Sequence, residues 1–171
     1  VKWKDAQSTD TNGGVLGADN PTFHASIGWD WITSTPGREV GIWDDVYLSA
    51  SEGVRVQDPL VVSRVRPSDT LATMTPAVRV HNDLPRRVSA TLRGWIGDIT
   101  FAKPVTLEPQ SEVEVTFSPD EFAQLRDRKM RLWWPVDYGE PYLYEAGFVV
   151  EVDGCVSDSL HYQAGIREMA Y

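Results

Sequence analysis

With a single cysteine, Cys155, in 171 residues, this chain has no internal disulfide framework, and its thiol content says nothing about compartment. Histidine is almost as scarce. The three histidines, His24, His81 and His161, fall in three separate β-like runs, and none belongs to a GxSxG or comparable nucleophile motif. One cysteine and three scattered histidines do not make a clustered zinc site. Positive charge is also in deficit, with 16 Lys and Arg against 25 Asp and Glu, a net charge of −9 and a pI near 4.7. Nucleic acid and anionic membranes, which need a basic surface, are therefore not expected as partners. No apolar run approaches the roughly 20 residues of a membrane span. There is no Walker A or GxGxxG sequence, so no cofactor is expected. Asp44-Asp45 and the Asp5/Asp10 loop offer oxygens of the kind calcium takes, but without EF-hand spacing they read as solvated acid. No signal peptide, internal repeat or low-complexity tract is visible, and the first residue is Val rather than Met.

What the chain does have is 42% apolar residues, enough for a core, and seven tryptophans. Three of these, Trp29, Trp31 and Trp43, lie in one stretch, GWDWITSTPGREVGIWDDVYL, Gly28 to Leu48. Gly-Trp-Asp-Trp sets the carboxylate of Asp30 between two indoles. Such an arrangement suits a sugar, whose CH face stacks on indole while its hydroxyls donate to the carboxylate. A packed aromatic pair is the other reading of Trp29 and Trp31. Trp43 and Trp95 read most simply as core, and Trp133-Trp134 as one inward and one outward side chain of a strand.

From Gly53 onward, short alternating runs recur roughly every 10 to 15 residues between turn signals, the pattern of an all-β sandwich. Val54 to Val65 is interrupted by Asp58-Pro59, which implies an edge strand or a bulge. Leu71 to His81, Val88 to Trp95, Ile99 to Leu107, Val113 to Phe117 and Tyr142 to Val152 follow. Asp153-Gly154 is a two-residue hairpin turn, and Leu160, Tyr162, Ala164 and Ile166 lie on the returning strand. Ser118-Pro119-Asp120-Glu121 reads as a capping box opening one helix of about two turns. About seven strands in residues 53–171 match an immunoglobulin-like domain in size, without the Cys–Trp–Cys core of antibody domains.

Glycosidase chemistry needs a pair of carboxyl groups across a pocket. Asp30, Glu140 and Glu145 have the right chemical type, but nothing in their spacing selects two of them.

GWDW (28–31), PGREVGIWDDVYL (36–48), QDP (57–59), LWWPVDYGEPYLY (132–144), SDS (157–159) and GIRE (165–168) occur in that order. The ordered set resembles the non-catalytic front half of family 2 glycoside hydrolases, the group of β-galactosidases, β-mannosidases, β-glucuronidases and exo-β-glucosaminidases. The resemblance implies that residues 1–52 are the last strands of a jelly-roll sugar-binding domain. Residues 53–171 would then be the immunoglobulin-like β-sandwich, ending at the lead-in to a catalytic (β/α)8 barrel. It implies a retaining exo-β-glycosidase whose two catalytic glutamates lie in that barrel, so this stretch alone would be inactive. It further implies that Asp30 reaches the sugar pocket, flanked by Trp29 and Trp31, and that Arg167 lies beneath it. The partners expected are a β-linked glycoside and the intramolecular barrel, in a secreted or periplasmic setting. A free-standing carbohydrate-binding module and a plain adhesion sandwich are the alternatives.

Overall fold

A computed structural model describes residues 48–169 apart from Pro67 and Asp69, together with Ile42, Asp45 and Val46. The chain divides between Leu48 and Ser49 into two units, of which the second is described here. The expected jelly-roll strands, Trp29, Asp30, Trp31, Trp43 and His24 lie outside the described residues.

Two antiparallel sheets form the second unit. One runs β1 (Val54–Arg66), β2 (Leu71–Asn82), β5 (Ser111–Thr116), with the two-residue β6 (Arg128–Lys129) pairing the far end of β2. The other runs in the order β4 (Ile99–Leu107), β3 (Val88–Ile96), β7 (Tyr144–Val152), β8 (Cys155–Ala164). The chain changes sheet after β2, after β4 and after β6, which gives the expected all-β, immunoglobulin-like sandwich.

Alternation in the sequence selects the inner faces. Ala72, Met74, Val78 and Val80 of β2 face Val88, Ala90, Leu92 and Ile96 of β3 and Ala146, Phe148 and Val150 of β7, all nearly inaccessible to solvent. Phe101, Phe117, Phe122 and Phe148 form an aromatic cluster. Ring centroids lie 4.6 Å apart for Phe101–Phe117, 5.3 Å for Phe117–Phe122 and 6.1 Å for Phe101–Phe148. Each such ring contributes roughly 2–3 kcal/mol by burial alone.

Turn chemistry behaves as the sequence dictates. Asp58 takes φ 49° where the β1–β2 register shifts, and β1 is an edge strand, so Asp58-Pro59 marks both a bulge and an edge. Asp153 and Gly154, at φ 52° and 79°, close the β7–β8 hairpin with two left-handed residues.

Two expectations are corrected. The capping-box segment does not continue as a helix of two turns. Ser118 caps as its type suggests, its Oγ accepting from the Asp120 amide at 3.1 Å. The helical path then stops at Phe122 (φ −120°, ψ 88°), which turns its ring into the aromatic cluster, and only a 3₁₀ turn, Ala123–Leu125, follows. Burial of that ring outweighs propagation of so short a helix. Trp95 is not core either. Leu92, Gly94 and Ile96 take the inner parity, with Gly94 filled by the rings of Phe101 and Phe148. Trp95 therefore lies half-buried on the outer face, across Gly147 and 5.0 Å from the ring of His161.

Candidate functional site

One end of the sandwich gathers the β1–β2 turn, the β6–β7 loop and the segment that follows β8. Hydrogen bonds tie the three together. The Met130 amide donates to Thr70 O at 3.1 Å, and the Trp133 amide to Ile166 O at 2.9 Å. Within the loop, the Trp134 amide donates to Glu140 O at 3.0 Å, and Trp133 bridges Pro141. Gly139 is needed here because any Cβ would stand 2.7 Å from the Trp134 side chain.

This loop is the LWWPVDYGEPYLY stretch, and its charges and rings are ordered. The Arg131 guanidinium lies 3.8 Å over the Tyr142 ring and bonds Glu140 Oε2 at 2.5 Å. That carboxylate, with the adjoining tyrosine, holds the Arg131 pKa above its usual value. The Arg131 amide donates to the Tyr144 hydroxyl at 2.8 Å. Glu140 is thus engaged as a structural ion-pair partner. Glu145 accepts from Gln163 Nε2 at 3.2 Å on the outer face of the β3–β7–β8 sheet. Neither carboxylate faces the other across a pocket. An open groove of about 450 Å³ runs between Thr70, Lys129, Arg131, Trp134 and Tyr144.

Trp133 and Trp134 divide as their adjacent positions require. Trp133 is half-buried against Gly165, whereas Trp134 is 43% exposed. Val136 and Tyr138 on the same loop are 72% and 82% exposed, and Met169, beyond the last strand, 57%. Trp134, Val136, Tyr138 and Met169 are thus among the large apolar side chains that the described residues leave exposed.

Arg167 stands at this end. Its guanidinium carbon lies 5.3 Å from the Trp133 ring and 6.0 Å from the Trp134 ring. Most other arginines of the sandwich pair with carboxylates, Arg55 with Asp83 and Arg93 with Glu151 among them. Among the described residues no carboxylate pairs with Arg167. Of the four expected site residues, only Arg167 is described; Trp29, Asp30 and Trp31 lie outside the described residues. Among the described residues no group of three His, Cys, Asp or Glu side chains comes together.

What sequence reasoning missed is how the edge of β1 is closed. The Val54 amide donates to Ser157 Oγ at 3.1 Å, and the same hydroxyl donates to Val54 O at 2.7 Å. The Val56 amide donates to Asp158 Oδ2 at 2.9 Å. At the other end of β1, Ser63 Oγ donates to Arg167 O at 2.6 Å and accepts from the Arg167 amide at 3.1 Å. The Val65 amide donates to Glu168 Oε2 at 2.6 Å, while Arg64 bonds Oε1 of the same carboxylate at 2.8 Å. These two bonds, the backbone amide foremost, lower the pKa of Glu168. Side chains of Ser157, Asp158 and Glu168, together with Ser63 of β1 reaching the Arg167 backbone, thus stand in for a missing neighbour strand.

Comparison with known proteins agrees with this architecture. The model of the family described as Glycosyl hydrolases family 2 matches residues 54–167. An exo-β-D-glucosaminidase of Streptomyces avermitilis is 32% identical over 153 residues, covering 88% of this chain and 17% of that protein. A mannosylglycoprotein endo-β-mannosidase of Lilium longiflorum is 28% identical over 165 residues, covering 90% of this chain and 17% of that protein. The crystal structure of an exo-chitosanase of Amycolatopsis orientalis superposes with a TM-score of 0.59 at 21% identity, covering 69% of this chain and 13% of that one. The chain spans less than a fifth of the length of these relatives. By a family match over well over half its length and by a relative at 32% identity, the chain belongs to glycoside hydrolase family 2.

Proposed function

We propose that this chain is the non-catalytic sandwich region of a retaining exo-β-glycosidase, residues 1–52 belonging to a jelly-roll sugar-binding domain and 53–171 to a scaffold for a catalytic barrel. The observation that carries this reading is the end of the sandwich at which the chain leaves. Ile166 is fully buried, Arg167 is held over an indole pair, and Trp134, Val136, Tyr138 and Met169 are exposed beside it. An exposed apolar rim around an ordered exit segment suits a domain that follows directly and packs on it. Asp30, flanked by Trp29 and Trp31, and Arg167 are proposed to line the sugar site completed by that domain. The chemistry is assigned to the barrel that the family resemblance implies.

The 32% identity to an exo-β-D-glucosaminidase makes a terminal β-linked glucosamine the first substrate to try, with β-mannosides second. The test uses the longer protein encoded by the same gene and the 171-residue chain side by side on nitrophenyl β-D-glucosaminide, β-mannoside and β-galactoside. Turnover by the longer protein with none by the chain is expected. Turnover by the 171-residue chain would overturn the scaffold assignment. A longer protein that hydrolyses no β-glycoside would overturn the reading as a whole.

A further inference from the structure

We propose that Ser63 and Glu168 form a latch that fixes the direction in which the chain leaves the sandwich, and that Ser63 is thereby a positioning residue for Arg167. Ser63 is only 9% exposed, and its hydroxyl engages both backbone groups of Arg167, at 2.6 Å to the carbonyl and 3.1 Å from the amide. One residue pinned at both its amide and its carbonyl has its backbone direction set. Glu168 adds a second fastening one residue on, spanning the Val65 amide and the Arg64 guanidinium. On the opposite side, the Trp133 amide holds Ile166 O, and Gly165 fits against the Trp133 ring, leaving about 3.0 Å for any Cβ. Four consecutive residues are thus fixed from two sides, although none belongs to a strand. With its backbone held and its guanidinium over Trp133 and Trp134, Arg167 is a preorganised cation, unpaired among the described residues. Among the described residues, the hydroxyl of Ser63 is the one group of β1 that holds that residue's backbone.

The latch stands on the geometry alone. The positioning role rests on the reading that Arg167 faces the sugar site of a catalytic domain. Amide hydrogen exchange in the 171-residue chain tests the first part. The Arg167 and Val65 amides should be protected. Ser63→Ala should accelerate exchange at Arg167 by about tenfold, the effect of one hydrogen bond, while the β3 and β7 amides stay unchanged. Ser63→Thr, which keeps the hydroxyl, should restore protection. An unprotected Arg167 amide in the unaltered chain, or one indifferent to Ser63→Ala, would overturn the latch. Kinetics of the longer enzyme test the second part. Ser63→Ala should lower kcat by about tenfold with KM little changed, and Ser63→Thr should rescue it. A variant with faster exchange but unaltered kinetics would overturn the positioning role and leave the latch. A longer protein without glycosidase activity would instead refute the functional reading, with the exchange result unaffected.

Discussion

Ser157→Ala probes the closure of the sandwich directly. Ser157 is the extra residue at the register shift between β7 and β8, where Val150 pairs Asp158 and Glu151 pairs Val156. The bulge turns its side chain inward, to 5% exposure, where one hydroxyl satisfies both the amide and the carbonyl of Val54. Val54 is itself fully buried, so water has poor access to either group once the hydroxyl is gone. Leaving a buried backbone donor or acceptor without a partner costs about 1–3 kcal/mol. Two groups stranded together, with some relaxation, give about 2–4 kcal/mol. That is a large share of the roughly 5–15 kcal/mol that holds a domain of this size folded. Urea unfolding followed by tryptophan fluorescence would read it as a midpoint lowered by about 1–2 M at constant m. Ser159→Ala, on the same strand but exposed, is the control and should stay within about 0.5 kcal/mol of the unaltered chain. A Ser157→Ala midpoint equal to that of the control would refute the argument, because solvent would then be replacing both bonds.

Other perturbations have equally definite outcomes. Among the described residues the buried Tyr162 hydroxyl has no partner, and the ring stacks on Phe148, so Tyr162→Phe should stabilise by about 1 kcal/mol in thermal unfolding. Burial raises the Tyr162 pKa to about 12. The ionised form is thus disfavoured in the folded state, so stability is level below pH about 10 and falls as pH rises from there towards 12, a slope that Tyr162→Phe should remove. Gly94→Ala should cost at least about 1–3 kcal/mol in urea unfolding by overpacking, since its Cβ would stand 2.3 Å from Phe101 and 2.9 Å from Phe148. Glu168 has a depressed pKa, so its hold on Val65 persists above the usual carboxylate range and is lost as pH falls through the lowered value. The Val65 amide should keep its exchange protection, after correction for intrinsic rates, through the usual carboxylate range and lose it only as pH falls below that range.

Much of the architecture is legible in the residues because one rule, alternation, governs every long strand. Met74, Val78 and Val80, or Phe148 and Val150, announce their inner face without any knowledge of their neighbours. The bulge at Asp58-Pro59 and the turn at Asp153-Gly154 are legible because their backbone geometry excludes most other residues. Trp95 misleads because its bulk suggests core, whereas the two small side chains Gly94 and Gly147 decide the matter: one admits two phenylalanine rings to the interior, the other admits an indole to the outer face. The helix over 118–127 misleads because local capping chemistry is genuine, yet a distant cluster of rings captures Phe122. The closure of β1 is beyond sequence reading of this kind. Ser157 and Val54, or Ser63 and Arg167, are more than a hundred positions apart, and a serine in a strand carries no mark of the edge it will meet. Of the expected site residues only Arg167 is described, and the adjacency of Trp133 and Trp134 in the sequence does not mark them as its setting.

The closure of β1 has a mechanical consequence. The chain is fastened where β1 begins, at Val54, and again where it leaves, opposite Val65, so one strand spans both anchorages. Eleven steps of extended backbone measure about 35 Å. β1 therefore sets the distance between the point at which the chain enters the sandwich and the point at which it leaves. Tension applied between the two anchorages loads that strand lengthwise, in shear against β2, rather than peeling the two sheets apart. That distance would be altered by lengthening or shortening β1, and hardly at all by changes in the hairpins of the opposite sheet.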